Sequence, residues 1–158
     1  MEKDQHEFMQ KAIELSLKGS SEGKGGPFGA VIVKDGKIVG QGHNNVLNSN
    51  DPTAHAEIVA IRDACKNLGT FQLSDCELYT SCEPCPMCLG AIYWARPKKV
   101  YYANTREDAA EIGFDDAFIY DEIPLPISER KIQMIPLGRE EAQKAFKFWV
   151  EKQDKTLY

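Results

Sequence analysis

No run in this 158-residue chain approaches the roughly 20 consecutive apolar residues that cross a bilayer, so no membrane partner is expected. Low-complexity tracts and internal repeats are also missing, which excludes a linker or a solenoid. A basic surplus is absent too. The formal net charge is -5, whereas proteins that draw affinity from nucleic-acid phosphates need a basic surface, so no nucleic-acid partner is expected. Arg96, Lys98 and Lys99 form a small basic group, read as the end of a helix complementing its dipole. The segment MEKDQHEF lacks the apolar stretch of a secretory signal, which makes the cytoplasm the expected compartment. Cysteine is scarce and odd in number, at five, which argues against a disulfide framework in a reducing compartment. Metal binding or plain burial is left for those thiols.

What is present fits one domain spanning residues 1–158, with 42% hydrophobic and 27% charged residues. Phe8, Met9, Ala12, Ile13 and Leu15 recur at helical spacing and predict a helix over about 4–18. FGAVIVK and KIVGQGHN flank Asp35-Gly36, a pair that favours the left-handed turn of a tight hairpin. After a polar loop, Asp51 is placed to cap a helix starting at Pro52, with Ile58, Ile61, Cys65 and Leu68 on its buried face and Gly69 at its end. ELYTS and KVYYA read as strands around a helix over 86–95, hence as a parallel pair. Short helices over 104–122, a last strand at IQMIP and a helix over 139–152 complete the reading, with Ala142, Ala145, Phe146 and Trp149 on one helical face. The expected fold is three-layer α/β/α with a mixed central sheet of about five strands.

Two segments carry chemistry, PTAHAE and SCEPCPMC, each at an expected helix start. Cys85 and Cys88 are three apart across a first helical turn, which puts both sulfurs on one side, where a single tetrahedral zinc can bind them. His55 supplies a third ligand if the two helices start side by side, and three protein ligands leave the fourth position open to water. Helix N-termini favour thiolate over thiol, which suits both cysteines. Glu57, two residues past His55, does not share its helical face, so it is expected beside the metal as a general base. Zinc with two thiolates and a neutral imidazole sums to zero charge. An all-histidine site lowers the water pKa by roughly nine units, about 12 kcal/mol, and thiolates surrender part of that, so the carboxylate has to help.

HAE together with PCPMC resembles the signature of the cytidine-deaminase-like zinc deaminases. The resemblance runs from GGPFGAVIVKDG through KVYYA, and the surrounding residues look most like the short bacterial guanine deaminases, GFDDAFIY included. It implies one zinc per subunit on His55, Cys85 and Cys88, with Glu57 as proton shuttle. It also implies Asn44 and Asp116 against a purine base, with Asp116 relaying a proton as well. Guanine presents N1–H and the 2-amino group as adjacent donors, which a carboxylate can accept, and Asp115-Asp116 offers one. The expected reaction is deamination at C2, giving xanthine and ammonia. Trp94 is placed either to stack on the base or to pack in the core. In the family a C-terminal segment closes over the site from a swapped partner, which implies a homodimer, residues 139–158 exchanged and Tyr158 near the substrate.

Other readings stay open at this point. A tRNA adenosine deaminase shares the motif, although such an enzyme would carry a small, glycine-containing stretch where this chain has GFDDAF. A structural-zinc module would need a fourth protein ligand, for which Cys82 is the obvious candidate. An iron–sulfur reading of Cys82, Cys85 and Cys88 would need another cysteine at Ile92. Cys65, Cys76 and Cys82 are read as inert packing, and His6 and His43 as structural.

Overall fold

Asp35 and Gly36 both take positive φ, 49° and 73°, and so close the tight hairpin that their residue types favour. In the computed structural model, which describes residues 2–158, this hairpin joins β1 (Gly29–Lys34) to β2 (Lys37–His43). On its other edge β1 pairs antiparallel with β3 (Cys76–Cys82), and β3 pairs parallel with β4 (Lys99–Asn104). The sheet therefore has four strands, ordered β2-β1-β3-β4, and is mixed as expected. The described residues divide into two compact units, one ending at Asp116 and one running from Ala117 to Tyr158.

In the first unit, β1 is buried on both faces because its alternate residues serve two cores. Val31 and Val33 pack with Tyr79 under Leu15 of α1 (Glu2–Ser21), while Ala30 and Ile32 pack with Leu78 under α3 (Ala56–Leu68) and α4 (Pro86–Ala95). The unit is thus layered α/β/α.

Helix α3 lies unusually close to β2. A Cβ at Gly40 would stand 2.6 Å from both the Ala60 carbonyl oxygen and the Ala64 Cβ, and one at Gly42 would stand 2.7 Å from Val59. Small residues on both sides permit that approach. The buried face of α3 is accordingly Ala56, Glu57, Ala60 and Ala64, with Ile61, Cys65 and Leu68 only at the margin of the core. This corrects the expected face, which followed the larger apolar residues.

The start of α3 is also corrected. Asp51 does not cap a helix beginning at Pro52; its carboxylate accepts the Thr53 N–H at 2.8 Å and the Thr53 hydroxyl at 2.7 Å, which closes a local turn. The helix begins at Ala56, with His55 as its extended N-cap. The preceding loop contains a further short helix, α2 (Val46–Ser49). After β4, Thr105 and Asp108 form a reciprocal capping box that starts α5 (Arg106–Glu111).

The second unit holds α6 (Ala117–Glu122), a 3-10 turn at Ile127–Glu129 and α7 (Arg139–Glu151). IQMIP is not a strand, and the sheet falls one short of the expected number. The Lys131 N–H is taken by the Glu122 carboxylate at 2.8 Å, Pro136 has no N–H to give, and Ile132, Met134 and Ile135 are exposed. The helix expected over 139–152 is present. Its apolar residues are not buried, with Phe146, Phe148 and Val150 all exposed. Among the described residues no helix is long and apolar enough to cross a membrane.

Candidate active site

His55 and Cys85 occupy equivalent places, each an extended N-cap of its helix (φ/ψ -69°/158° and -67°/169°) and neither using its side chain to cap. An N-cap side chain ordinarily turns back to the helix's first free N–H groups. Here both point elsewhere. His55 Nδ1 lies 3.5 Å from Cys85 Sγ and 3.5 Å from Cys88 Sγ, and all three donor atoms fall within 4.8 Å of one another. Pro86, at the first helical position of α4, needs no N–H partner there and helps fix the turn that separates the cysteines.

The spacing can be tested against a metal. Zinc bonded to sulfur at about 2.3 Å and to nitrogen at about 2.0–2.1 Å in tetrahedral geometry puts those two atoms about 3.5 Å apart. The nitrogen–sulfur separations match on both sides, and the donor set of one imidazole and two thiols suits zinc. His55, Cys85 and Cys88 fit the ion.

Protonation in the cluster follows from its contacts. The Cys85 thiol is drawn down to about 4 by its contact with Cys88 and by His55, against the opposing effect of burial. Cys88 is pushed up by the same contact with Cys85 and by burial. The neighbouring Cys85 holds His55 above its usual range.

Glu57, in the first turn of α3, is 6% exposed, and burial raises its carboxyl above the ordinary range. Its Oε1 accepts the hydroxyl of Thr80 on β3 at 2.8 Å. The Thr80 hydroxyl also lies 3.1 Å from the Cys82 carbonyl oxygen, and Thr80 itself is 1% exposed. A buried carboxyl with a raised affinity for protons, beside a three-ligand metal site, is suited to accept and return them.

Cys82 stands apart. Its Sγ approaches the Thr105 carbonyl oxygen at 3.6 Å, and burial pushes its thiol up to about 11. Among the described residues the ligand cluster contains His55, Cys85 and Cys88 but not Cys82, so a closed four-ligand site is not built.

Asn44, at the end of β2, is buried, with its N–H donating to the Phe28 carbonyl at 2.9 Å. Its side-chain oxygen accepts the Val46 N–H at 3.1 Å, which leaves the Nδ2 hydrogens to serve as donors. Asp116 Oδ1 lies 3.7 Å from Arg106 Nε. Partial burial raises the Asp116 carboxyl and Arg106 opposes that rise. Trp94 is not core: it is 63% exposed beside exposed Tyr93, on a side of α4 away from buried Cys88, Ile92 and Ala95. Tyr158, in the second unit, is exposed.

Two supporting residues were not evident from the sequence. Thr80 reads there simply as a β-branched strand residue. Arg106 sits in TRED, whose Thr-x-x-acid spacing signals a helix start and so could have located the segment that carries the partner of Asp116.

Residues 2–104 match the family model for the cytidine and deoxycytidylate deaminase zinc-binding region. The chain belongs to this deaminase family. Within it, the chain is 59% identical to guanine deaminase of Bacillus subtilis (strain 168) over 96% of its own length and 97% of that protein's. The crystal structure of guanine deaminase from Bacillus subtilis superposes with a TM-score of 0.94 at 58% identity, covering 97% of this chain and 98% of that one. The tRNA-specific adenosine deaminase of Aquifex aeolicus (strain VF5) is more distant, 43% identical over 61% of this chain and 63% of its own. The deaminase family model thus spans the sheet, Asn44, Glu57 and all three candidate ligands. The likeness to the Bacillus subtilis protein continues through GFDDAF into the second unit.

Proposed function

We propose that this deaminase hydrolyses guanine to xanthine and ammonia. The observation that carries the reading is the near full-length likeness to a guanine deaminase in a chain that also brings His55, Cys85, Cys88 and Glu57 together. Zinc, one ion per subunit on His55, Cys85 and Cys88, supplies a Lewis acid that makes water nucleophilic near neutral pH. Glu57 takes the proton from the water that adds at C2. It passes that proton to the ring nitrogen, then takes the remaining proton of the added hydroxyl as the C2 carbonyl forms and gives it to the amino group as the C2–N bond breaks, and ends as it began.

Asp116 accepts from N1–H and the 2-amino group, and Arg106 keeps its carboxylate oriented. Asn44 gives its Nδ2 hydrogens to an acceptor of the purine. The whole of 1–158 acts as one domain with residues 139–158 exchanged in a homodimer. Support for this comes from α7, whose apolar face stays exposed in the single chain. In that arrangement Trp94 and Tyr158 complete the enclosure of the base. The cytoplasm suits the chain because all five cysteines are free thiols and two of them serve as ligands.

Zinc-loaded protein offered guanine, guanosine, adenine, cytosine, cytidine and tRNA in parallel, with released ammonia measured, tests the reading. Guanine alone should respond strongly. Preferred turnover of tRNA adenosine with steeply salt-dependent binding would replace the reading with a tRNA-deaminase one.

A further inference from the structure

Loop residues 25–28 lie between Asn44 and Phe114, which stands two residues before Asp116. On one side Gly25 rests against Asn44: a Cβ there would stand 2.1 Å from Asn44 Oδ1 and 2.5 Å from its carbonyl oxygen. Phe28, three residues on, accepts the Asn44 N–H. On the other side Gly26 rests against Phe114, whose Cζ would be 2.8 Å from an added Cβ. The Phe28 and Phe114 rings meet edge to face, with centroids 5.0 Å apart and planes at 88°, a favourable aromatic geometry. Phe114 is nonetheless 46% exposed, so this contact does not reflect burial in the core.

Phe114 precedes Asp116 by two residues in a stretch with no helix or strand of its own. The Phe114 N–H donates to the Ala109 carbonyl at the end of α5, and Arg106 in the first turn of α5 holds Asp116. The segment carrying Asp116 is therefore fixed at its helix and at one aromatic ring. Removing the ring takes away the second of these anchors and leaves the segment to its contacts with α5, the Phe114 N–H to Ala109 carbonyl bond and the 3.7 Å ion pair among them.

We propose that Phe114 is a positioning residue for substrate selection: seated on Gly26 and Phe28, it sets the placement of Asp116 relative to Asn44, so the 25–28 loop acts as the spacer between the two groups that read the purine. The inference rests on the assignment of Asp116 to the base made above. It explains why glycine stands at both 25 and 26, since a methyl group at either would enter a residue on which base recognition depends.

The test is a double-mutant cycle on zinc-loaded protein, with kcat and KM for guanine, zinc content and melting temperature measured for each variant. Phe114→Leu should lower kcat/KM about tenfold, mainly through KM, because small misplacements of a recognition group are costly while the metal centre is untouched. Zinc content and melting temperature should stay at parent values, and Phe114→Tyr should recover kcat/KM to within about threefold of the parent. In an Asp116→Asn background, Phe114→Leu should cost nothing further. Gly26→Ala should resemble Phe114→Leu, and the two together should be no worse than either.

Phe114→Leu within about twofold of the parent, or an undiminished Phe114→Leu effect in the Asp116→Asn background, overturns the spacer. Asp116→Asn working at the parent rate overturns the assignment of Asp116 and the spacer with it. A parent protein inert toward guanine instead overturns the substrate reading, so the failures remain distinct.

Discussion

The hydroxyl of Thr80, buried on β3, donates to Oε1 of Glu57 at 2.8 Å, tying the proposed proton shuttle to the central sheet. The bond fixes one carboxylate oxygen against the sheet. Thr80→Val preserves shape but removes that tether. We expect kcat to fall about tenfold with KM and zinc content unchanged, a fraction of what general base catalysis contributes in full. Thr80→Ser should restore most of the rate. Steady-state kinetics decide the matter, and equal losses in Val and Ser would point to packing instead.

Glu57→Gln should retain zinc and lose activity by about 10²–10⁴-fold, because the amide cannot accept and return protons. Cys82→Ser should keep both zinc and turnover, since Sγ of Cys82 faces the Thr105 carbonyl and not the ligand cluster. Cys85→Ser and Cys88→Ser should each lose metal. Elemental analysis paired with ammonia release separates the three behaviours, and loss of zinc from Cys82→Ser would restore the structural-module reading.

The capping box of α5 predicts a pH effect on stability. Asp108 accepts the N–H and hydroxyl of Thr105 at 2.8 and 3.0 Å, which lowers its carboxyl below the ordinary range. A group depressed on folding stabilises the native state above its unfolded pKa and loses that contribution as pH falls through its folded value. Asp108→Ala should therefore melt below the parent at neutral pH, and the gap should close in acid below the usual aspartate range. Paired thermal melts across that range provide the check. A gap that persists undiminished in acid would assign the effect to something other than the carboxylate.

The proposed exchange of the C-terminus can be tested by mixing. Deleting residues 155–158 removes Tyr158 but leaves the metal ligands, while Glu57→Gln keeps Tyr158 but lacks the base. If the segment acts on the partner's site, unfolding and refolding the two inactive proteins together should recover part of the parent activity, because some mixed dimers hold one intact site. No recovery, or full turnover by the deletion protein alone, would sink the exchange.

How legible the protein was in its sequence depended on where each residue's partners lie. Asp35-Gly36, the α4 start at Pro86 and the pairing of His55 with two cysteines are local or strongly patterned, and all appear as expected. The start of α3 was misplaced because Asp51 and Pro52 carry good capping chemistry that is satisfied by a turn. The fifth strand was misplaced because alternating apolar residues make a strand only where a ladder is available, and Lys131 already donates to Glu122. Thr80 and Arg106 stayed hidden because each gains its role from a residue distant in the chain, Glu57 for one and Asp116 for the other.

Gly40 and Gly42 carry no chemistry, yet they let α3 descend onto β2. His55 stands immediately before that helix, and Glu57 rides in its first turn. The spacing of ligand and base is thus machined partly by two positions in a hairpin that holds neither. A methyl group added there would lift the helix and would be read at the metal as lost affinity, whereas exposed β2 residues such as Lys37 should tolerate replacement. In a survey of random substitutions, these two glycines should stand out as intolerant points beside exposed β2 positions such as Lys37 and Gln41.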